Sequence, residues 1–170
     1  MPYEPKHCEI VTGDLLAAPD TMIVHQCNCT STGQAGGIAR LIFDRFPFAD
    51  CYTEENEREP GTAAICVAGP EKLTVVNLFG QHHPGGPSEE ETPDQRFDWF
   101  KQALNVFGNA LLNLRDEIWA EEEVTIAFPW QIGCGIAGGD WDGRYLPLID
   151  KFAEALAKHN IKVRIYRLPE

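Results

Sequence analysis

The chain has 170 residues, 44% of them apolar and 10% aromatic, which fits one globular domain with a real core and argues against a disordered protein. Its 14 Lys and Arg against 26 Asp and Glu give a formal net charge of −12, which argues against a duplex nucleic-acid partner, because phosphate-backbone binding needs clustered cations. The opening MPYEPKHCEI is polar and no apolar run approaches the roughly 18 residues of a membrane span, so a cytoplasmic or otherwise intracellular protein with no membrane partner is expected.

HCEIV at 7–11 reads as a first strand, followed by GDLLAAP, and MIVHQCN at 22–28 reads as a buried strand. From Gly36 the pattern turns helical, with Ile38, Ile42 and Phe46 recurring every four residues until Pro47 closes the helix. PGTAAICVA at 60–68 and LTVVNLF at 73–79 are two further strands joined by the turn GPEK. Residues 80–95 read as a long loop without structure of its own, which in compact domains is usually a functional lid or a disordered segment. Phe97, Phe100, Leu104, Phe107, Leu111 and Leu114 mark one buried face of the clearest helix. EVTIAFP at 123–129 is a strand, LPLIDKFAEALAKHN at 146–160 a helix with Pro147 in its first turn, and KVRIYRL at 162–168 the last strand, with Lys and Arg outward and Val, Ile and Tyr inward. Strands alternating with helices predict an α/β fold of three layers, α/β/α, around a mixed, mostly parallel central sheet.

Two glycine-rich stretches follow buried strands: IVHQCNCTSTGQAGGIA at 23–39 and IAFPWQIGCGIAGGDW at 126–141. A strand running through glycine-rich backbone into a helix leaves several N–H groups free to point at one anion, and ligands of such sheets sit outside the carboxyl ends of the strands. A nucleotide-like ligand with two phosphates, or a phosphate and a sugar, is the first expectation. The six cysteines form no CxxC pair and read as reduced, mostly buried thiols.

GDLL at 13–16, IVHQCNC at 23–29, GGIA at 36–39 and IGCGIAGGDW at 132–141 occur in the order and with the spacing of the macrodomain family, the ADP-ribose-binding fold, and the chain resembles that family over nearly its whole length. Two branches are most similar: the ADP-ribose-1″-phosphate phosphatases, and the terminal ADP-ribose protein glycohydrolase together with the antitoxin that removes ADP-ribose from DNA. The second branch carries a functional lysine just after the fourth strand. Here that stretch reads NLFGQHHPG, with Gln81, His82 and His83, which argues against a lysine-based covalent mechanism and favours the phosphatase branch.

The resemblance implies that Asp14 accepts from the adenine amino group, with Gly13 and the Leu15 amide beside the ring. The competing role for an Asp after Gly is a turn or helix cap. It implies that Asn28 lies by the distal ribose, against the alternative of an Asx turn at a strand end. It gives His25 general acid/base work, since an imidazole titrates near working pH. The competing role is a buried histidine, and residues 25 and 28 share no face of a regular strand. Asp140 would orient a water or protonate a leaving group, or else cap the turn at 141–146, where Asp142 competes.

Gly36, Gly37, Ile38 and Ala39 open a helix whose amides would hold one anion. Ile132, Gly133, Cys134, Gly135, Ile136, Ala137, Gly138 and Gly139 would cradle the diphosphate, glycine allowing close backbone approach. Cys134 has no fitting Cys/His/Asp order to make it a nucleophile. His82 and His83 are poor chelators without Cys or carboxylate partners, so no metal and no cofactor are expected. Trp130 and Trp141 are expected to pack the ends of the second loop. The function expected is binding of ADP-ribose and hydrolysis of ADP-ribose-1″-phosphate by a monomer. The alternatives are removal of ADP-ribose from protein or nucleic acid, and a reader that binds free or protein-linked ADP-ribose without chemistry.

Overall fold

The computed structural model describes residues 2–170, and six strands form one sheet through it. In chain order they are β1 (Glu9–Thr12), β2 (Met22–Gln26), β3 (Ala63–Ala68), β4 (Leu73–Leu78), β5 (Val124–Pro129) and β6 (Ile161–Arg167). Their order across the sheet is β1-β6-β5-β2-β4-β3, and every pairing is parallel except the β3–β4 hairpin. Three helices, α1 (Gly37–Arg45), α2 (Pro93–Trp119) and α3 (Leu146–Ala157), cover it.

Strand alternation divides the core into two layers. Met22 and Val24 of β2 pack with Phe100, Leu104, Phe107 and Leu111 of α2 and with Ile149, Ala153 and Leu156 of α3. Ile23, between them in sequence, packs on the other face with Ile42 and Phe43 of α1. Helices therefore lie on both faces, as the α/β/α expectation requires. Among the described residues no helix is long and apolar enough to cross a membrane.

The crevice of the sheet follows from register. β2 stays paired with β4 as far as Gln26–Leu78, but its pairing with β5 stops at Ile23–Ala127. The two neighbouring strands thus part before their carboxyl ends. The chain then leaves β2 toward α1 on one face and β5 toward α3 on the other, the switch point at which open α/β sheets bind ligands.

Several boundaries differ from the sequence reading, each for a local reason. α2 starts earlier, at Pro93, because the Thr92 hydroxyl caps the Gln95 amide and Pro occupies the first turn. It ends later, at Trp119, where the buried Arg115 guanidinium donates to the carbonyls of Ala120, Glu122 and His159 and so serves the open helix end. The 80–92 segment is ordered by the buried carboxylate of Glu91, which accepts the His82 and His83 amides. In β6, Val163 and Ile165 face α2 and α3, whereas Tyr166 sits on the opposite face with Arg164, and both donate to the buried Asp20. Residues two apart share a face, so the tyrosine follows the arginine.

Asp150 of α3 ties the N-terminal segment down. Its carboxylate accepts the amides of Lys6 (3.0 Å), His7 (2.7 Å) and Cys8 (3.0 Å) and the Tyr3 hydroxyl (2.8 Å). Burial by itself would raise its pKa; the three amides and the hydroxyl outweigh burial and hold it below the ordinary carboxylate value. A depressed folded-state pKa means that this stabilisation is present above the unfolded value, about 3.9, and is lost as pH falls through the lowered one. Asp150→Ala is expected to lower the unfolding free energy by about 3 kcal/mol at neutral pH in urea denaturation, because it orphans several donors at once. Asp150→Asn is expected to flatten the acid limb of the stability profile, and an unchanged limb would show the clasp to be idle.

Candidate functional site

A cleft of about 550 Å³ opens where β2 and β5 part. Asn28, Ser31, Gln34 and residues 36–39 line one side, residues 129–133 and 135–137 the opposite side, and Gln81, Pro84 and Gly85 the outer wall, with Gln26 and Tyr52 completing the lining. Among the described residues that line it, none is Asp, Glu, Lys, Arg or His. Its polar groups are side-chain amides, hydroxyls and backbone.

The backbone supplies the electrostatics. Gly36 leads into α1 without any side-chain cap, so the first-turn amides of Gly37, Ile38 and Ala39 stand at the cleft with the positive end of the helix dipole. In the second loop, Cys134 N donates to Gln131 O (2.9 Å), Gly138 N to Gly135 O (3.0 Å) and Gly139 N to Gly133 O (3.0 Å). The amides of Gly135, Ile136 and Ala137, all on the lining, take no part in those bonds. Two sets of free N–H groups thus face one cleft, the arrangement that holds an anion without a cationic side chain. Gly133 is required there: its φ is +72°, and a Cβ would meet the Tyr145 ring at 2.7 Å and Gln26 Oε1 at 3.0 Å.

A chain of side-chain amides lines the cleft next to the backbone. Gln81 Nε2 donates to His83 O (2.7 Å), which leaves Gln81 Oε1 to accept from Gln26 Nε2 (2.7 Å). Gln26 Oε1 is then a buried acceptor with no donor among the described residues. Asn28 Oδ1 accepts the amides of Thr30 (3.1 Å) and Ser31 (2.8 Å), so the Asx turn forms. Asn28 also lines the cleft, and its backbone N and Nδ2 both donate to the Tyr52 hydroxyl (3.0 and 3.2 Å). The Asx turn therefore does not take Asn28 away from the cleft. Arg58 braces the turn from behind, through the carbonyls of Asn28 (3.3 Å) and Ser31 (2.7 Å), and stacks over Tyr52 at 5.2 Å.

The structure brings Asn28 together with Gly36, Gly37, Ile38, Ala39, Ile132, Gly133, Gly135, Ile136 and Ala137. It leaves the other expected residues off the lining. His25 is corrected most clearly: it is fully buried beneath α1, with Phe43 packed edge-on against its ring at 5.2 Å. Asn77 Nδ2 donates to Ala49 O (2.9 Å), so Asn77 Oδ1 accepts, and the His25 proton sits on Nε2, 2.6 Å away. Burial pushes its pKa down to about 4, against the opposing effect of the Asn77 bond. Strand alternation sends residue 25 into the core; Asn28 turns to the cleft only because β2 has ended at Gln26.

Asp140 takes its competing role: it caps the π-helical turn Trp141–Tyr145 by accepting the Gly143 amide at 3.0 Å. Asp14 likewise caps the 3-10 turn Leu15–Ala17, through the Leu16 amide at 3.0 Å, and with Gly13 and Leu15 it lies at the end of β1, two strands from β5. Cys134, Gly138 and Gly139 shape the second loop from outside the lining. Burial, with Asp140 and Asp142 nearby, pushes the Cys134 thiol up to about 12, which is no nucleophile. Trp130 and Trp141 pack on each other at 5.2 Å, and Trp130 also forms part of the cleft. His83 Nδ1 bonds Glu91 (3.1 Å), and no metal-ligating cluster occurs among the described residues.

Sequence reasoning missed Tyr52, Gln26 and Gln81. Gln26 was readable as the last residue before the first glycine-rich loop, whereas nothing in CYTEENE marks Tyr52.

No protein-family model matches the chain, and no match is found among curated proteins. Among solved structures it is similar to the macrodomain of Mycobacterium tuberculosis DarG, at 20% identity and TM-score 0.67, over 96% of this chain and 99% of that one. The macrodomain of Thermus aquaticus DarG is similar at 21% identity and TM-score 0.65, over 94% and 97%. Thermosipho africanus DarTG in complex with ADP-ribose is similar at 20% identity and TM-score 0.67, over 99% of this chain and 43% of that one. The chain has the macrodomain fold.

His25 is expected to show no titration between pH 5 and 8 in imidazole NMR spectra, and a midpoint in that range would place it in contact with solvent. Gly133→Ala is expected to destabilise by about 1–2 kcal/mol and to distort the second loop, read as a lowered Tm with changed amide shifts over 131–139.

Proposed function

We propose that this protein binds ADP-ribose and its 1″-substituted derivatives in the cleft between its glycine loops. One observation carries the reading: two sets of free backbone amides face a lining that holds no charged side chain among the described residues. Such a lining suits a diphosphate, whose charge is met by oriented dipoles. Asn28, which lines the cleft and gives one Nδ2 proton to Tyr52, keeps the second for a ribose hydroxyl. The macrodomain fold and the ADP-ribose held by Thermosipho africanus DarTG support the same ligand.

The reaction proposed is hydrolysis of ADP-ribose-1″-phosphate, and the neutral lining favours it over glycosidic cleavage. Glycosidic cleavage runs on paired carboxylates, and no carboxylate lines the cleft among the described residues. Cleavage of a phosphate monoester passes through a loose transition state that asks little of a base and much of charge stabilisation. Water attacks phosphorus, and the P–O bond to the sugar breaks. One water proton passes by way of a phosphate oxygen to the leaving sugar oxygen. Asn28, fixed by Tyr52 and its own turn, orients the distal ribose.

Calorimetry with ADP-ribose and phosphate release from ADP-ribose-1″-phosphate test the two halves separately. The protein is expected to bind the first and hydrolyse the second; Asn28→Ala is expected to lose about 10²-fold in phosphate release, and Asp140→Ala to retain it. Absence of ADP-ribose binding overturns the ligand. Binding without phosphate release overturns the phosphatase reading, and an ADP-ribosylated protein substrate then separates a hydrolase from a reader.

A further inference from the structure

Arg96, on the first turn of α2, is 1% exposed and stands behind the cleft's lining without being part of it. Its Nε donates to Glu91 Oε2 at 2.6 Å, and its Nη2 donates to His83 O at 3.1 Å. Its Nη1 bridges two carbonyls that belong to opposite parts of the cleft: Gly85 O at 2.8 Å, in the outer wall, and Ala137 O at 3.2 Å, in the second glycine loop. Glu91, 4% exposed, fixes the other end by accepting the His82 amide (3.2 Å), the His83 amide (3.1 Å) and His83 Nδ1 (3.1 Å).

The two segments are also in steric contact. A Cβ on Gly86 would lie 3.4 Å from Ile136 O, and one on Gly138 would lie 2.9 Å from the Pro87 ring. The outer wall is therefore seated on the glycine loop, and Arg96 is the one charged group joining them among the bonds above. A planar guanidinium holds several carbonyls at set angles, which a single ammonium does not.

We propose that Arg96 is a positioning residue for the ligand: by joining Gly85 to Ala137 it sets the gap between the outer wall and the second glycine loop, and so holds the loop amides at binding spacing before a ligand arrives. The proposal rests on the ADP-ribose reading of the cleft. Small displacements of preorganised donors weaken binding steeply. The carbonyl that Arg96 holds in this loop belongs to Ala137, whose own amide is free, and the free amide of Ile136 is one residue before it.

The test compares the parent with Arg96→Lys, which keeps a cation for Glu91 but loses the fork. ADP-ribose affinity is read by calorimetry at a temperature where both are folded, and amide hydrogen exchange is read without ligand. Folded Arg96→Lys is expected to bind about tenfold more weakly, with exchange of the hydrogen-bonded Gly138 and Gly139 amides and of the His82 and His83 amides rising together. A purely structural residue would lower Tm and leave the affinity of the folded protein alone, and that result overturns the proposal. Should the parent not bind ADP-ribose, the ligand reading falls, and exchange decides the positioning role by itself: unchanged protection of the Gly138 and Gly139 amides in Arg96→Lys overturns it. If Arg96→Lys does not fold, Glu91→Gln, which keeps an acceptor for Nε, is expected to shift affinity and exchange in the same direction, and no shift in either overturns the proposal.

Discussion

The early parting of β2 and β5 is the constraint on which the rest depends. Two parallel strands that pair only through Ile23–Ala127 and then send the chain to opposite faces leave a crevice at their carboxyl ends. The pairing is held at its base by burial on both faces: Met22 and Ile126 toward α2 and α3, Ile23 and Ala127 toward α1. A one-residue slip would turn each of these side chains to the wrong layer, so the register is specified by the two cores together. Both glycine loops, the free start of α1 and the Gln26–Gln81 amide pair are placed by that single divergence.

Within the crevice, the protein deals with a strongly acidic composition by using backbone in place of side chains. The net charge is −12, yet the lining is neutral, and its field comes from amides whose geometry is fixed locally. Fixed dipoles in a partly enclosed site act on a ligand with little reorganisation, and their effect does not depend on the sign of the distant surface. The charged residues closest to the site work behind it. Arg58 holds the Asn28 turn, Arg96 joins the outer wall to the second loop, and Asp140 caps the turn at the second loop's exit.

Buried polar groups elsewhere follow the same economy. Asp150, Asp20, Glu91, Arg96 and Arg115 are all buried, and each is met by backbone groups or by a partner, as burial of a charge demands. His25 is the instructive contrast. Its strand carries it into the layer under α1, where neutrality, the bond to Asn77 and the Cys27 thiol beside Nδ1 satisfy it, and that same burial takes it away from proton transfer.

The sequence by itself determined the elements and the glycine backbone of the cleft. Apolar runs before GGIA and GCGIAGG, and the 3,4 spacing from Phe97 to Leu114, are local patterns, and local patterns set strands, helices and glycine turns. They also placed Gly36, Gly37, Gly133 and Gly135 at the cleft, because a glycine loop after a strand stands at a carboxyl end wherever the strand lies. Only the tertiary structure decided which side chains meet there. His25 and Asn28, three residues apart, were separated by where β2 stops. Tyr52 and Gln81, far from either motif, were brought in by the strand order, and Asp140 turned to cap its own helix. Motif spacing reads along the chain, whereas membership of a site depends on register and on the face each strand presents, and those are settled only when the two core layers close on the sheet.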